Sequence, residues 1–178
     1  TDYERALEIF QSITDTVPYA KNADEAQFMI GQCYAKLGQY SEANEAYAKL
    51  INEYPSSSLI DKAKYEAAQS LFLASSKSEY DQEKTDDAIQ EFEKYKDETR
   101  DDKILENIDE SISALREKRA KSVYEIAEFY KRQKKYSSAD RYYNQIIKEY
   151  GDTSVAKDAE GRINDIKPLL EKQARGKK

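Results

Sequence analysis

Apolar positions along the chain recur at steps of three and four, with charged residues filling the intervals. That spacing lines one face of an α-helix. The longest stripe runs Ile104, Ile108, Ile112, Leu115, Val123, Ile126 and Tyr130, with Arg119 in its gap. No Gly or Pro interrupts residues 102–150. The stripe therefore predicts one helix over about 102–134, roughly 48 Å long at 1.5 Å per residue. Shorter stripes predict helices over about 2–15, 20–37, 40–54, 57–75, 85–99, 136–150 and 153–173. No apolar run approaches the ~18 residues of a membrane span. Arg119 has two readings: a head that snorkels to water past its apolar neighbours, which is the simpler, or a fixed ion pair at a bend or partner contact.

The stripes are copies of one another. Residues 34–58 read YAKLGQYSEANEAYAKLINEYPSSS, and residues 130–154 read YKRQKKYSSADRYYNQIIKEYGDTS. Tyr34, Tyr40, Ala43, Tyr47 and Tyr54 match Tyr130, Tyr136, Ala139, Tyr143 and Tyr150. Gly31 and Ala127 stand three residues before the first Tyr of each copy. Tyr3, Ala6, Phe10, Ile13 and Pro18 make a half copy at an offset of 37, and Ala68 follows Gly31 at the same offset. Ala88, Phe92 and Tyr95 carry the second helix of that further copy. Ala26, Ala63 and Ala159 each lie eight residues after Pro18, Pro55 and Gly151, so the last helix opens another repeat.

This pattern resembles the tetratricopeptide repeat, a helix–turn–helix unit of about 34 residues. Small residues on facing helices allow close approach, and rings at i and i+4 fill the space between neighbouring pairs. One pair cannot bury its apolar face alone, so pairs stack. The expected fold is all-α, a helical-pair solenoid of about eight helices with one long helix. It forms a single array over residues 1–173, followed by a frayed basic tail over 174–178. Two features depart from the plain repeat. One is the long helix. The other is the polar stretch 75–86 (SSKSEYDQEKTD), read as a surface loop ending in Thr85 as an N-cap.

Composition narrows the chemistry. The 178 residues include no His, no Trp and one Cys, with 5 Gly, 3 Pro, 3 Val, 20 Ala and 15 Tyr. No imidazole base, His-based triad or His-ligated zinc is possible, and one thiol forms neither an internal disulfide nor a thiolate cluster. No cofactor and no metal are expected. A carboxylate-pair hydrolase is disfavoured, because the acids fall on exposed helix faces beside Lys. Cys33, next to Tyr34 within a helix, reads as a small packing residue. The net charge of −6 hides a polarity: residues 1–115 carry 12 Lys/Arg against 25 Asp/Glu, and residues 116–178 carry 17 against 10. Nucleic acid is not an expected partner, since the basic part is interleaved with acids and carries no binding motif. The chain opens inside a helical pattern without Met and is expected to be a piece of a longer precursor.

The two departures carry a more specific resemblance. The segment YDQEKTDDAIQEF supplies Asp81, Gln82, Thr85, Ala88 and Phe92. The long helix supplies Leu115, Ala120, Ala127, Phe129 and Tyr130, followed by the turn Tyr150 to Thr153. From residue 3 to about 165 the chain resembles the BamD (YfiO) family of outer-membrane protein assembly lipoproteins. Gly151 stands where the family usually has Pro, and Tyr142 where many members have Arg, leaving Arg141 beside it. The lipidated Cys is absent. The resemblance implies a scaffold on the periplasmic face of the bacterial outer membrane, with its only membrane attachment an upstream lipid anchor outside this chain. It implies three kinds of protein partner: the periplasmic domains of the barrel-forming insertase, other assembly lipoproteins, and unfolded outer-membrane proteins bearing a C-terminal peptide signal. The alternative is another envelope adaptor of the same repeat type, a wall-synthesis coordinator or a pilus pilot.

Two sets of residues are candidate binding sites. In this repeat type, positions three before and one after the small residue face the groove. These are Phe28, Tyr65 and Tyr124, with Gln32, Gln69 and Glu128. Rings beside amides suit an extended peptide, although the same rings suit packing between repeats. The second set is a basic patch around the turn after the long helix: Lys131, Arg132, Lys134, Lys135 and Arg141. It suits an acidic partner face, and a solvated turn equally.

Overall fold

Alanine and glycine at the repeat positions let the helices of this chain lie against one another, and the architecture follows from that. In a computed structural model, residues 1–77 and 82–175 are described, without the side chains of 76, 77 and 174. Eight helices and no strand occur among the described residues. In order they are α1 (Asp2–Thr16), α2 (Ala23–Lys36), α3 (Tyr40–Glu53), α4 (Ile60–Lys77), α5 (Gln82–Glu98), α6 (Asp102–Arg132), α7 (Tyr136–Glu149) and α8 (Ser154–Arg175). Neighbouring helices pack as pairs, as expected of a helical-pair solenoid. The chain divides into two compact units, Thr1–Ser111 and Ile112–Lys178, with α6 supplying residues to both.

In the first unit each helix from α1 to α5 packs on the next. The small residues sit at the closest approaches: Ala43, Ala63 and Ala88 are fully buried, and Ala68 is 1% exposed. Gly31 is the tightest. A Cβ there would lie 2.5 Å from Cε1 of Tyr47, so the ring of α3 occupies the place of a side chain on α2. Tyr47 and Leu50 anchor the core, with Phe28, Ala63 and Ala67 around them. In the second unit Ala120, Val123 and Ala127 of α6 meet Ala139, Tyr143 and Ile146 of α7 and Ala156, Ala159 and Ile166 of α8.

The two copies fold alike in detail. The Phe28 and Tyr47 rings lie 5.3 Å apart at 53°, and their counterparts Tyr124 and Tyr143 lie 5.6 Å apart at 59°. The turns match as well. Gly38 has φ 73°, and Gln39 N–H donates to Tyr34 O at 2.9 Å. Lys134 has φ 57°, and Lys135 N–H donates to Tyr130 O at 3.0 Å. Both turns close with the six-to-one bond of a helix C-terminus in the left-handed region, which favours Gly.

Several boundaries differ from expectation: α2 begins at Ala23 rather than 20, α4 at Ile60 rather than 57, and α6 ends at Arg132 rather than 134. The polar stretch read as a loop over 75–86 is partly helix: α4 continues to Lys77 and α5 begins at Gln82, with residues 78–81 outside the described residues. Thr85 is therefore not an N-cap; it lies within α5 and is 1% exposed. Lys, Gln and Glu are good helix formers, so a polar stretch extends a helix as readily as it ends one. At the far end α8 passes through Pro168 and reaches Arg175, beyond the expected stop near 173; residues 176–178 of the expected tail lie outside the described residues.

Candidate functional site

The six groove positions fall in both units. In the first, Phe28 is only 4% exposed and belongs to the core, its ring against Tyr47, with Lys62 Nζ 4.9 Å above its centroid. Tyr65 and Gln69, one turn apart on α4, are half-buried, and Gln69 Nε2 donates to the Tyr65 hydroxyl at 3.0 Å. The Tyr65 ring rests 6.4 Å from that of Tyr95 on α5. Gln32 on α2 is half-buried. Side-by-side amide and hydroxyl groups on an apolar bed are what an extended backbone needs, and Tyr65 with Gln69 supply them.

In the second unit Tyr124 and Glu128 join a polar network. Arg162 of α8 donates from Nε to the Tyr124 hydroxyl at 2.9 Å and lies 3.2 Å from Glu128 Oε1. Tyr143 donates its buried hydroxyl to the same Glu128 oxygen at 2.5 Å. Lys131 completes the set at 3.6 Å. Burial pushes the Glu128 carboxyl up, but the Tyr143 hydrogen bond and the charges of Lys131 and Arg162 outweigh it, so the carboxyl is held below its ordinary range. Burial, and then the bond to Glu128, pushes the Tyr143 phenol up.

The basic patch occupies the α6–α7 turn. Arg132, Lys134, Lys135 and Arg141 are exposed, and Lys131 is half-buried beside Glu128. The left-handed conformation of Lys134 forms the turn, and Gln173 of α8 donates to its carbonyl at 3.1 Å. Beside the turn lies an aromatic cluster that charge alone does not reveal. The rings of Tyr130 and Tyr142 stack 5.4 Å apart at 8°. Phe129, 50% exposed, sets its edge on Tyr130 at 5.6 Å. Lys135 Nζ lies 6.0 Å from the Tyr130 centroid. The signal in the sequence was the adjacent pairs Phe129–Tyr130 and Tyr142–Tyr143: Tyr143 is core, Tyr130 and Tyr142 are half-buried, and Phe129 turns outward.

A further cluster holds the α7–α8 turn. Arg116 of α6 grips Asp152 with two hydrogen bonds of 2.9 and 2.6 Å and donates to the Glu149 carbonyl at 2.8 Å. Its guanidinium carbon is 5.5 Å from the Tyr150 centroid. Those hydrogen bonds hold the Asp152 carboxyl below its usual range. Glu117 accepts from Ser154 N–H at 3.0 Å and so caps α8. These groups fix the turn rather than face a ligand. Among the described residues there is no cluster of His, Cys, Asp or Glu arranged for a metal ion, and no helix is long and apolar enough to cross a membrane.

Among curated proteins none matches the chain significantly. A family model described as YfiO, outer membrane lipoprotein, matches residues 1–174. With nearly the whole chain matched, the chain belongs to the YfiO family of outer membrane lipoproteins.

Proposed function

We propose that this chain is a non-enzymatic scaffold of outer-membrane protein assembly. It works at the periplasmic face, tethered by a lipid anchor upstream of Thr1. The observation that carries this reading is the cationic surface around the α6–α7 turn: Arg132, Lys134, Lys135 and Arg141 are exposed there, and Lys135 lies over Tyr130, whose ring stacks on Tyr142. Stacked rings hold the backbone of the turn still, while the cations stay in water and attract an acidic partner face from a distance. Arg and aromatic residues are the side chains on which interface energy concentrates. The partners assigned to this surface are the periplasmic domains of the barrel-forming insertase, with other assembly lipoproteins around them.

Extended segments of unfolded outer-membrane proteins are assigned to the first-helix positions, unit by unit. In the first unit Tyr65, Gln69 and Gln32 offer amides and a hydroxyl, while Phe28 lies in the core against Tyr47. In the second unit Tyr124 and Glu128 stand beside Arg162, which suits the carboxylate end of a peptide.

Co-purification from envelope membranes with the full-length precursor tests the assignment. Recovery of the insertase supports it; recovery of wall-synthesis or pilus components instead contradicts it. The peptide arm is tested by substitution and circular dichroism. Phe28→Ala should cost about 3–5 kcal/mol of stability as a buried ring lost. Tyr65→Ala and Tyr124→Ala should keep the helical signal and lose peptide binding. Retained peptide binding by both would remove this groove from the account.

A further inference from the structure

The repeat builds the seat of Arg116 twice and fills it once. In the second unit the guanidinium meets the Glu149 carbonyl and both carboxylate oxygens of Asp152, and its carbon lies 5.5 Å from the Tyr150 centroid. The offset that takes Ala127 back to Gly31 and Tyr130 back to Tyr34 takes these three partners to Glu53, Ser56 and Tyr54, and takes Arg116 itself to Ala20. All four of those residues line one cleft of about 360 Å³ between the α1–α2 turn and the α3–α4 turn. Alanine in place of arginine leaves that seat open.

The backbone of the two seats is the same. Tyr54 N–H donates to Leu50 O at 2.9 Å and Ser57 N–H to Tyr54 O at 2.9 Å; Tyr150 N–H donates to Ile146 O at 2.8 Å and Thr153 N–H to Tyr150 O at 3.0 Å. Glu53 and Glu149 are therefore each the last residue of a helix, where carbonyls lack a helical partner and the helix dipole is negative. The Glu149 carbonyl accepts from Arg116 at 2.8 Å, and among the described residues no side chain donates to that of Glu53. The charges around the open seat are Glu53, Asp24 and one ammonium, Lys21. Among the described residues none of the three forms an ion pair, and Asp24 Oδ2 accepts from the Ser57 hydroxyl at 2.6 Å. Burial pushes the Tyr54 phenol up, and the Glu53 and Asp24 carboxylates push it further, so both negative charges are felt inside the cleft. Tyr19 stands at its rim, 98% exposed.

We infer that the cleft between the α1–α2 and α3–α4 turns receives an arginine side chain from a partner polypeptide, in the seat that Arg116 fills in the second unit. The planar fork of a guanidinium can donate to the Glu53 carbonyl, lie over the Tyr54 ring and turn its other N–H groups to Ser56 and the carboxylates. Ser56 stands in place of Asp152 and Lys21 in place of Glu117, so this seat holds its guest more weakly than the second unit holds Arg116. It is separate from the α6–α7 surface and from the peptide positions above, and it does not depend on either assignment.

The test uses the full chain and the probe acetyl-Gly-Arg-Gly-amide, followed by two-dimensional amide NMR. The expected result is movement of the Ala20, Tyr54 and Ser56 resonances, with none at Tyr150 and Asp152, where Arg116 already sits. The neutral citrulline counterpart should produce no movement. Lys21→Glu with Ser56→Asp, both at exposed positions, gives the first seat the acids of the second and should tighten the probe about tenfold, a change of about 1.4 kcal/mol. Arg116→Ala, checked for unchanged helical signal, should make Tyr150 and Asp152 respond as well. Equal shifts with citrulline, or an equal response along the acidic α5, would overturn the proposal as mere surface attraction. A silent first cleft, or unchanged affinity in the Lys21→Glu, Ser56→Asp chain, would overturn the equivalence on which it rests.

Discussion

At the scale of single residues, this fold is decided by what is missing from a side chain. Gly31 leaves the volume that the Tyr47 ring enters, with 2.5 Å between that ring and the place of a Cβ. Gly31→Ala should destabilise the chain by about 1–3 kcal/mol, read as a lower midpoint in urea, because an overpacked contact must spread. Ala127 holds the same position in the second unit, where a Cβ is already accommodated beside Tyr143. Charge supplies the second residue-scale prediction. Glu128 and Asp152 both have folded carboxyls held below their ordinary values of 4.5 and 3.8. A depressed carboxylate stabilises the fold above its unfolded pKa, and that contribution disappears as pH falls through the lower, folded value. The second unit should therefore lose stability on acidification below those ordinary values. Glu128→Gln should flatten that part of the pH profile while leaving the neutral-pH helical signal intact. A profile unchanged by the substitution would show that the network does not couple to folding. The small-residue positions were legible because each recurs in register. The Glu128 network was not, because Arg162 reaches it from 34 residues away and no spacing rule links the two.

At the scale of elements, the helices were legible to within a few residues and their ends less so. The 31-residue α6 follows from one unbroken stripe, and Asp101, accepting from Lys103 N–H at 3.0 Å and Ile104 N–H at 3.3 Å, starts it. Where expectation failed, polarity had been read as loop. The Thr85 region is polar yet helical, because Gln82, Glu83 and Lys84 suit a first helical turn and Thr85 and Ala88 are buried beyond it. Pro168 stands on an exposed face of α8 and the helix continues past it, within the span expected over about 153–173. The α6–α7 turn makes a direct prediction. Lys134 holds φ 57° where its counterpart is Gly38, and a side chain in that region costs about 1 kcal/mol. Lys134→Gly should raise the thermal midpoint by a few degrees, about 1 kcal/mol of stabilisation. An unchanged or lower midpoint would mean that the Lys134 side chain contributes as much as its backbone costs.

At the scale of the whole molecule, two facts set the account: membership of an outer membrane lipoprotein family over residues 1–174, and an uneven distribution of charge. The net −6 sums an acidic stretch before Arg116 and a basic one from it onward. Lys135 of the basic turn lies over a stacked pair of rings, Tyr130 and Tyr142, a feature that composition concealed among the 15 Tyr. The partner proposed for that surface comes only from the family resemblance, since helical repeats serve many partners. The same Lys134→Gly chain should separate stability from docking, becoming more stable while binding its partner more weakly. The most direct test of the central claim is the affinity of the purified chain for the insertase's periplasmic domains, compared with the Lys134→Glu, Lys135→Glu, Arg141→Glu variant at low and at moderate salt. The account predicts that the native chain binds and weakens as salt rises, that the variant loses tenfold or more, about 1.4 kcal/mol, and that both keep the same helical signal. Equal affinity of the two proteins at both salt concentrations would contradict it.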